Sequence, residues 1–317
     1  MGDKKRVFKL SSESPLYQLF VSLMIIMGVG IVLLVILSLA GMLIFGSDLT
    51  VLEKSSSALS NNDLGFLRYL LIIQDISLFI IPSIIILVMM KPEHAGRLNE
   101  LKMPQLKEAG LVVILAFCIF PITSFTGQIN AGMHFPEWLS GVEKWMAEKE
   151  DHANSIINQA LVSPTFIIMI LNLFLIAILP ALGEELFFRG VLQKIFYNLF
   201  KSGHIAIWFT AFLFSAIHFQ FFGFVPRFIL GIVFGYLFYW SGTLWLPVIS
   251  HFVNNAVPVI LAYIQGMEKF NAPTDTPLWQ QAIVLPLPIV LSLIILFYFR
   301  NKNEKSDGQG INQEQVT

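Results

Sequence analysis

Three groups of polar residues stand in stretches of this chain that are otherwise apolar. The first is Glu184, Glu185 and Arg189 in "LIAILPALGEELFFRGVLQKIF". The second is His218 in "AFLFSAIHFQFF", four residues after Phe214. The third is "LPVISHFVNNAVP", where His251 and Asn255 are four apart and Asn254 could substitute for Asn255. A charge at the centre of a membrane helix costs from about 2.5 to over 10 kcal/mol, so such residues need partners or a purpose. On a helix, Glu185 and Arg189 share a face and can neutralise each other. Glu184 lies about 100° around the helix, without that partner. A carboxylate held near a cation but free on its own face is suited to general-base work. The competing reading is an ion pair that only staples helices, and stapling needs one acid, not two. His218 alone could simply be hydrogen-bonded to a neighbour. Two asparagines beside a histidine are costly to bury unpartnered. If the three faces meet, they form one site with a carboxylate, two imidazoles and an amide.

The elements that must position these residues are membrane helices. The chain has 317 residues, 56% hydrophobic and 13% charged, against about 25% charged for a soluble domain. Apolar blocks of about 20 residues suffice to span a bilayer. Eight appear: Leu16–Phe45, Phe66–Met90, Gly110–Ile129, a long one from Ser163-Pro164, His204–Phe222, Val225–Trp240, Leu244–Ile264 and Gln280–Phe299. The first is about twice the length of a signal-peptide core and reads as a retained span. With eight spans and both termini cytoplasmic, fourteen of the 20 Lys and Arg fall on the inner side and six on the outer, as the positive-inside rule requires. The expectation is an all-α polytopic membrane protein of about eight transmembrane helices: one membrane domain over 1–317, multi-pass in the cell membrane. A polar tail over 301–317 reads as disordered. Pro180 is expected to kink the fourth span. Depth poses a difficulty: at 1.5 Å per residue His218 lies about 21 Å from the inner end of its span and His251 about 10 Å, so they meet only if the helices tilt or start at different depths.

In order, the motifs Glu184-Glu185-x-x-x-Arg189, Phe214-x-x-x-His218 and His251-x-x-x-Asn255 resemble those of the CAAX prenyl protease type II and bacteriocin-processing (CPBP, or Abi) membrane endopeptidases, which include the Ras-converting enzyme. The flanking "EELFFRG" is similar too. The resemblance covers 164–262, which it marks as the catalytic core. It implies peptide hydrolysis in the membrane: Glu184 and His218 activate water, and His251 and Asn255 donate to the oxyanion. Glu185, Arg189 and Phe214 support the site. The substrate would be a membrane-associated peptide or protein, of CAAX type with a prenyl group or without one. Glu184, His218 and His251 would also make an acceptable zinc set, but the His-Glu-x-x-His motif is absent, and the expectation is no tightly bound cofactor. Two rivals remain: a non-catalytic immunity or scaffold protein of the same architecture, and a proton-coupled transporter. The transporter lacks the internal repeats that many such folds carry.

Other residues have simpler readings. Net charge −1 offers no basic field for nucleic acid. The single cysteine, Cys118, reads as a small core residue. Arg68 and Asp75 share a face and suggest an internal ion pair or a snorkelling arginine; Arg227 suggests snorkelling at a boundary. Gly231 and Gly235 suggest close helix packing. The long loop 131–163, with Trp138 and Trp145, suggests a helix lying on the membrane surface, inert or serving as a lid.

Overall fold

The computed structural model describes residues 10–54, 59–90, 101–162, 165–270 and 276–314, with side chains up to 302. The basic residues of 1–9 and 91–100, and the helix start at Ser163-Pro164, lie outside them. Among the described residues there is helix and no strand. The longer helices are α1 Pro15–Phe45, α2 Asn61–Met89, α3 Leu106–Ala131, α4 Ser140–Leu161, α5 Phe166–Phe200, α6 Gly203–Ala216, α7 Phe224–Ser241, α8 Trp245–Gln265, α9 Leu278–Val284 and α10 Pro286–Glu314. The chain is an all-α, multi-pass membrane protein. Among the described residues six helices are long and apolar enough to cross a bilayer, and α9 with α10 would form a seventh span bent by 42°. Large apolar side chains such as Leu43 and Ile167 face outward, while Asp75, Glu184, Glu185, Arg189 and His251 are buried. Lipid as solvent favours that inversion.

The count of eight expected spans meets its exception at the fifth. The sequence predicts helix over His204–Phe222, but α6 stops at Ala216 after 14 residues, about 21 Å. Phe219 adopts a left-handed φ of 52°, and Ser215 Oγ donates to the Phe224 carbonyl at 2.7 Å. These contacts turn the chain directly into α7. Non-helical backbone at such a depth is tolerated where protein or a cavity surrounds it.

The fourth span does continue past Arg189, as its apolar pattern predicts. α5 runs 35 residues, about 52 Å against a hydrocarbon core of about 30 Å. Thr165 caps it, accepting from the Ile168 N–H. It is not uniformly α-helical: Leu173–Ile178 and Leu186–Leu192 are π-helical. Pro180 follows the first π stretch, and in α2 Pro82 likewise follows the π stretch Ile76–Ile80. A proline removes one backbone donor and crowds the preceding turn, and a wider turn relieves both.

The polar residues after Asn301 continue α10 in their backbone as far as Glu314, where composition alone suggests disorder. Lys302 anchors the start of this extension by pairing with Glu108 of α3, and a helix already nucleated extends at little cost.

Helices α6 and α7 pack at the glycines. A Cβ on Gly231 would lie 2.9 Å from the Cβ of Ala211, and one on Gly235 would lie 2.7 Å from Ile207 Cγ2. The small-residue spacing is therefore a packing device, as its sequence suggests.

Trp138, in the turn just before α4, and Trp145 on α4 are exposed, but the loop helix is not free of the bundle. Arg68 donates to the carbonyls of Ala160 and Val162 at 3.3 and 2.9 Å and to Asn172 Oδ1 at 3.3 Å. The expected partner Asp75 is not its contact: Arg68 caps the C-terminal end of α4, where a cation meets unpaired carbonyls. Near the other end, the His134 ring and the Phe135 N–H lie 2.7 and 2.8 Å from the Glu143 carboxylate and hold it below the usual carboxylate range.

We expect Gly231→Ala to lower the melting temperature in detergent, equivalent to about 1–3 kcal/mol of overpacking. Gly110→Ala, where a Cβ meets nothing within 4 Å, should leave it unchanged or raise it. Equal melting of the two variants would contradict the packing account.

Candidate active site

The site is organised around the buried pair on α5. Arg189 Nη1 donates to Glu185 Oε1 at 2.8 Å, and both side chains are 0% exposed. The pairing expected from the four-residue spacing is present even though the π stretch begins at Leu186. Arg189 also donates from Nη2 to the Gly231 carbonyl at 2.9 Å. Its guanidinium lies over the rings of Phe188, Phe214 and Phe234. Gln193, one turn on, repeats the reach: Nε2 donates to the Gly235 carbonyl at 3.1 Å. The two glycines thus let the helices approach and also present their carbonyls, a role the small-residue pattern does not announce.

Glu185 has a second partner. His251 Nδ1 lies 2.9 Å from Glu185 Oε1, and its ring stacks on Phe234 at 5.0 Å between centroids. With Nδ1–H given to Glu185, the Nε2 face of His251 looks toward Glu184, at 3.9 Å from Oε2. That separation is too long for a hydrogen bond. Glu184 Oε2 is buried and has no protein hydrogen-bond partner. Glu185 Oε2 is likewise unpartnered, so the two adjacent acids differ in that Oε1 of Glu185 holds both Arg189 and His251, the pairing with Arg189 being the one the helix-face reading predicts.

His218 comes from the turn after α6. Its Nδ1 lies 2.7 Å from the Phe214 carbonyl; when Nδ1 carries the hydrogen, Nε2 is left as an acceptor. The difference in depth between the histidines is spanned by Phe214, whose ring centroid is 5.4 Å from His218 and 5.9 Å from His251. Phe214 is a buried hub under both imidazoles and Arg189.

Asn255 is held by a consequence of Pro180. The proline lacks the N–H that would donate to the Ile176 carbonyl in an α-helix, and Asn255 Nδ2 donates there instead, at 3.3 Å. Asn255 Oδ1 accepts from Asn254 at 3.3 Å. One amide N–H of Asn255 remains for another acceptor.

A cavity of about 620 Å³ opens beside these groups, a volume typical of ligand sites. Glu184, His218, Asn254 and Asn255 line it, and His251 lies just behind Glu184. Ala153, Asn154, Ile156, Ile157 and Leu161 of α4 line it too, so the loop helix is a wall of the cavity. Phe222 N–H donates to Glu150 Oε2 at 2.8 Å and Gln220 Nε2 to Asn154 Oδ1 at 3.2 Å, tying α4 to the turn that carries His218.

Two charged residues in this cavity have simpler readings in the sequence. Asp75 lines it and does not contact Arg68, and Arg227 lines it from the first turn of α7. Their sequence signal is a charge inside an apolar run, which does not say whether the charge points inward.

Residues 166–257 match the family model described as Rce1-like, type II CAAX prenyl endopeptidase Rce1-like. This segment is Rce1-like. It contains Glu184, His218, His251 and Asn255, and so the whole constellation read from the motifs. "Uncharacterized protein YpbD" of Bacillus subtilis (strain 168) is 30% identical over 90 residues, 27% of this chain and 43% of that protein. No solved structure gives a significant match. The Rce1-like segment comprises α5, α6, α7 and the first part of α8. The cavity it borders is completed by α2 and α4, from outside the matched stretch.

A metal would need donors that converge. Among the described residues no three His, Cys, Asp or Glu side chains group so as to hold an ion. Glu184, His218 and His251 border one region without forming such a set as placed.

Glu185→Gln should leave Arg189 without its counter-charge and His251 without a carboxylate acceptor. We expect a loss of about 3–5 kcal/mol, as for breaking a buried pair, seen as a clearly lower melting temperature. Glu184→Gln, which breaks no ion pair within hydrogen-bond reach, should melt near wild type. Identical melting of the two would defeat the division between the adjacent acids.

Proposed function

We propose that the protein is an intramembrane endopeptidase in which Glu184 is the general base for hydrolysis of a membrane-associated peptide. The observation that carries this reading is the contrast between the two acids: Oε1 of Glu185 is committed to Arg189 and His251 and its side chain lies away from the cavity lining, while Glu184 lines the cavity and is hydrogen-bonded to neither of those residues. The Rce1-like match over 166–257 supports the reaction class.

In this mechanism water donates one hydrogen to Glu184 and the other to Nε2 of His218. The water oxygen attacks the peptide carbonyl as its proton passes to Glu184. The developing oxyanion accepts from the free amide N–H of Asn255 and from Nε2 of His251, whose ring must then carry hydrogen on both nitrogens. Glu185 and Arg189 hold that ring in place. Preorganised donors of this kind are worth about 3 kcal/mol each. Collapse of the tetrahedral intermediate breaks the C–N bond, and Glu184 returns its proton to the leaving amine. No metal takes part in this scheme. The chain lies in the cell membrane with both termini cytoplasmic, by the distribution of Lys and Arg.

Purified protein screened against a peptide library should cleave a subset of peptides, and Glu184→Gln should lose at least about a hundredfold in kcat, the lower bound for general-base catalysis. Wild-type turnover in Glu184→Gln would refute the assignment. Running prenylated and unprenylated forms of a cleaved peptide side by side reads out the lipid requirement. Elemental analysis should find no stoichiometric zinc, and chelation should leave turnover intact. About one zinc per chain, lost together with activity in His251→Ala, would replace the metal-free scheme with a metal-dependent one.

A further inference from the structure

The cavity holds a cation that the hydrolysis scheme does not use. Arg227 stands in the first turn of α7, its backbone N–H donating to the Gly223 carbonyl at 3.4 Å, and its side chain lines the cavity with Glu184, His218 and Asn255. Nη1 is buried and has no hydrogen-bond partner. The carboxylates that act on its charge are Glu150 and Glu184. Neither forms a salt bridge with it, and Glu150 Oε2 already accepts the Phe222 N–H at 2.8 Å. A Cβ at position 223 would lie 2.1 Å from Nη1, so the absence of a side chain at Gly223 is what gives the guanidinium its place.

The buried arginines Arg68 and Arg189 have carbonyl or carboxylate partners at their terminal nitrogens, although Nε of Arg189 has none. Arg68 reaches three oxygens and Arg189 reaches two, under three aromatic rings. A snorkelling arginine would carry its head out to water, whereas Nη1 of Arg227 is closed off inside. A buried guanidinium N–H group without a partner is costly, and a ligand that completes Nη1 recovers much of that cost. Its planar fork matches a carboxylate through two parallel hydrogen bonds. A dianion is a poorer fit, because Asp75 and Glu184 line the same cavity with this one cation.

We propose that Arg227 is the subsite for a carboxylate of the substrate. This rests on the endopeptidase reading and adds a recognition residue to it. The carboxylate is either the C-terminus of the peptide or an Asp or Glu side chain near the bond that is cut. Neutral amides of Gln74, Gln220 and Asn254 in the same walls suit the peptide backbone around it.

The test is binding, measured apart from turnover. Three fluorescent peptides of otherwise identical sequence serve as probes: one ending in a free carboxylate, one in an amide, and one amidated with Asp replacing an internal Asn. Anisotropy is measured on Glu184→Gln protein in detergent, its folding verified by melting. One of the two carboxylate peptides should bind at least about tenfold tighter than the amide, as a charge-assisted pair provides, and which one identifies the source. Arg227→Gln in the same background should bring that peptide down to the amide's affinity, and Arg227→Lys should keep part of the preference. Equal binding of the three peptides would overturn the proposal. So would a preference that survives Arg227→Gln. Cleavage by wild type without a carboxylate preference sinks this inference and leaves the endopeptidase reading standing. A preference without cleavage does the reverse.

Discussion

The ion pair of Glu185 and Arg189, with both side chains 0% exposed, is the constraint on which the site depends. Neither charge could remain buried there without the other. The pair lies on α5, yet its remaining hydrogen-bonding capacity reaches other helices. Arg189 takes the Gly231 carbonyl of α7, and Glu185 takes His251 of α8. Phe214 of α6 and Phe234 of α7 close over the guanidinium. Four helices are thereby oriented by one pair of charges. Because Oε1 of Glu185 takes up both Arg189 and His251, the acid beside it stays available to the cavity.

Irregular backbone provides the second part of the design. The π-helical stretches of α5 flank the short α-helical segment that carries both glutamates. Pro180 leaves a carbonyl without its α-helical donor, and the amide of Asn255 fills that place. A defect in one helix thus fixes the position of a polar side chain from another. The turn after α6 works in the same way: ending the helix early brings His218 to the cavity, and hydrogen bonds that the turn donates to α4 secure it.

The cavity wall combines the Rce1-like segment with parts of the chain outside it. Asp75 and Phe79 come from α2, and α4 supplies five residues. The groups proposed for chemistry lie within the matched stretch. Much of the surface that would meet a substrate lies outside it, which leaves room for substrate preference to differ between proteins that share the core.

Local rules in the chain were enough to establish the helices, the membrane setting and the pairing on α5. Long apolar runs can satisfy their backbone only as helices in lipid, and residues four apart on a helix must meet, so Glu185 with Arg189 followed from spacing alone. The packing of Gly231 and Gly235 followed for the same reason. What required the tertiary structure is everything that depends on one helix facing another. The carboxylate of Glu185 as the acceptor for His251, Asn255 on the carbonyl freed by Pro180, Arg68 on the end of α4 rather than on Asp75, and Arg227 inside the cavity all join residues from different elements. The early end of α6 belongs with them. Its apolar composition fits helix through Phe222, and contacts of Ser215, Glu150 and Asn154 across the fold turn the chain before then. Spacing along one helix is written in the order of residues; contacts between helices depend on how whole faces pack, and no short stretch of sequence contains both sides of such a contact.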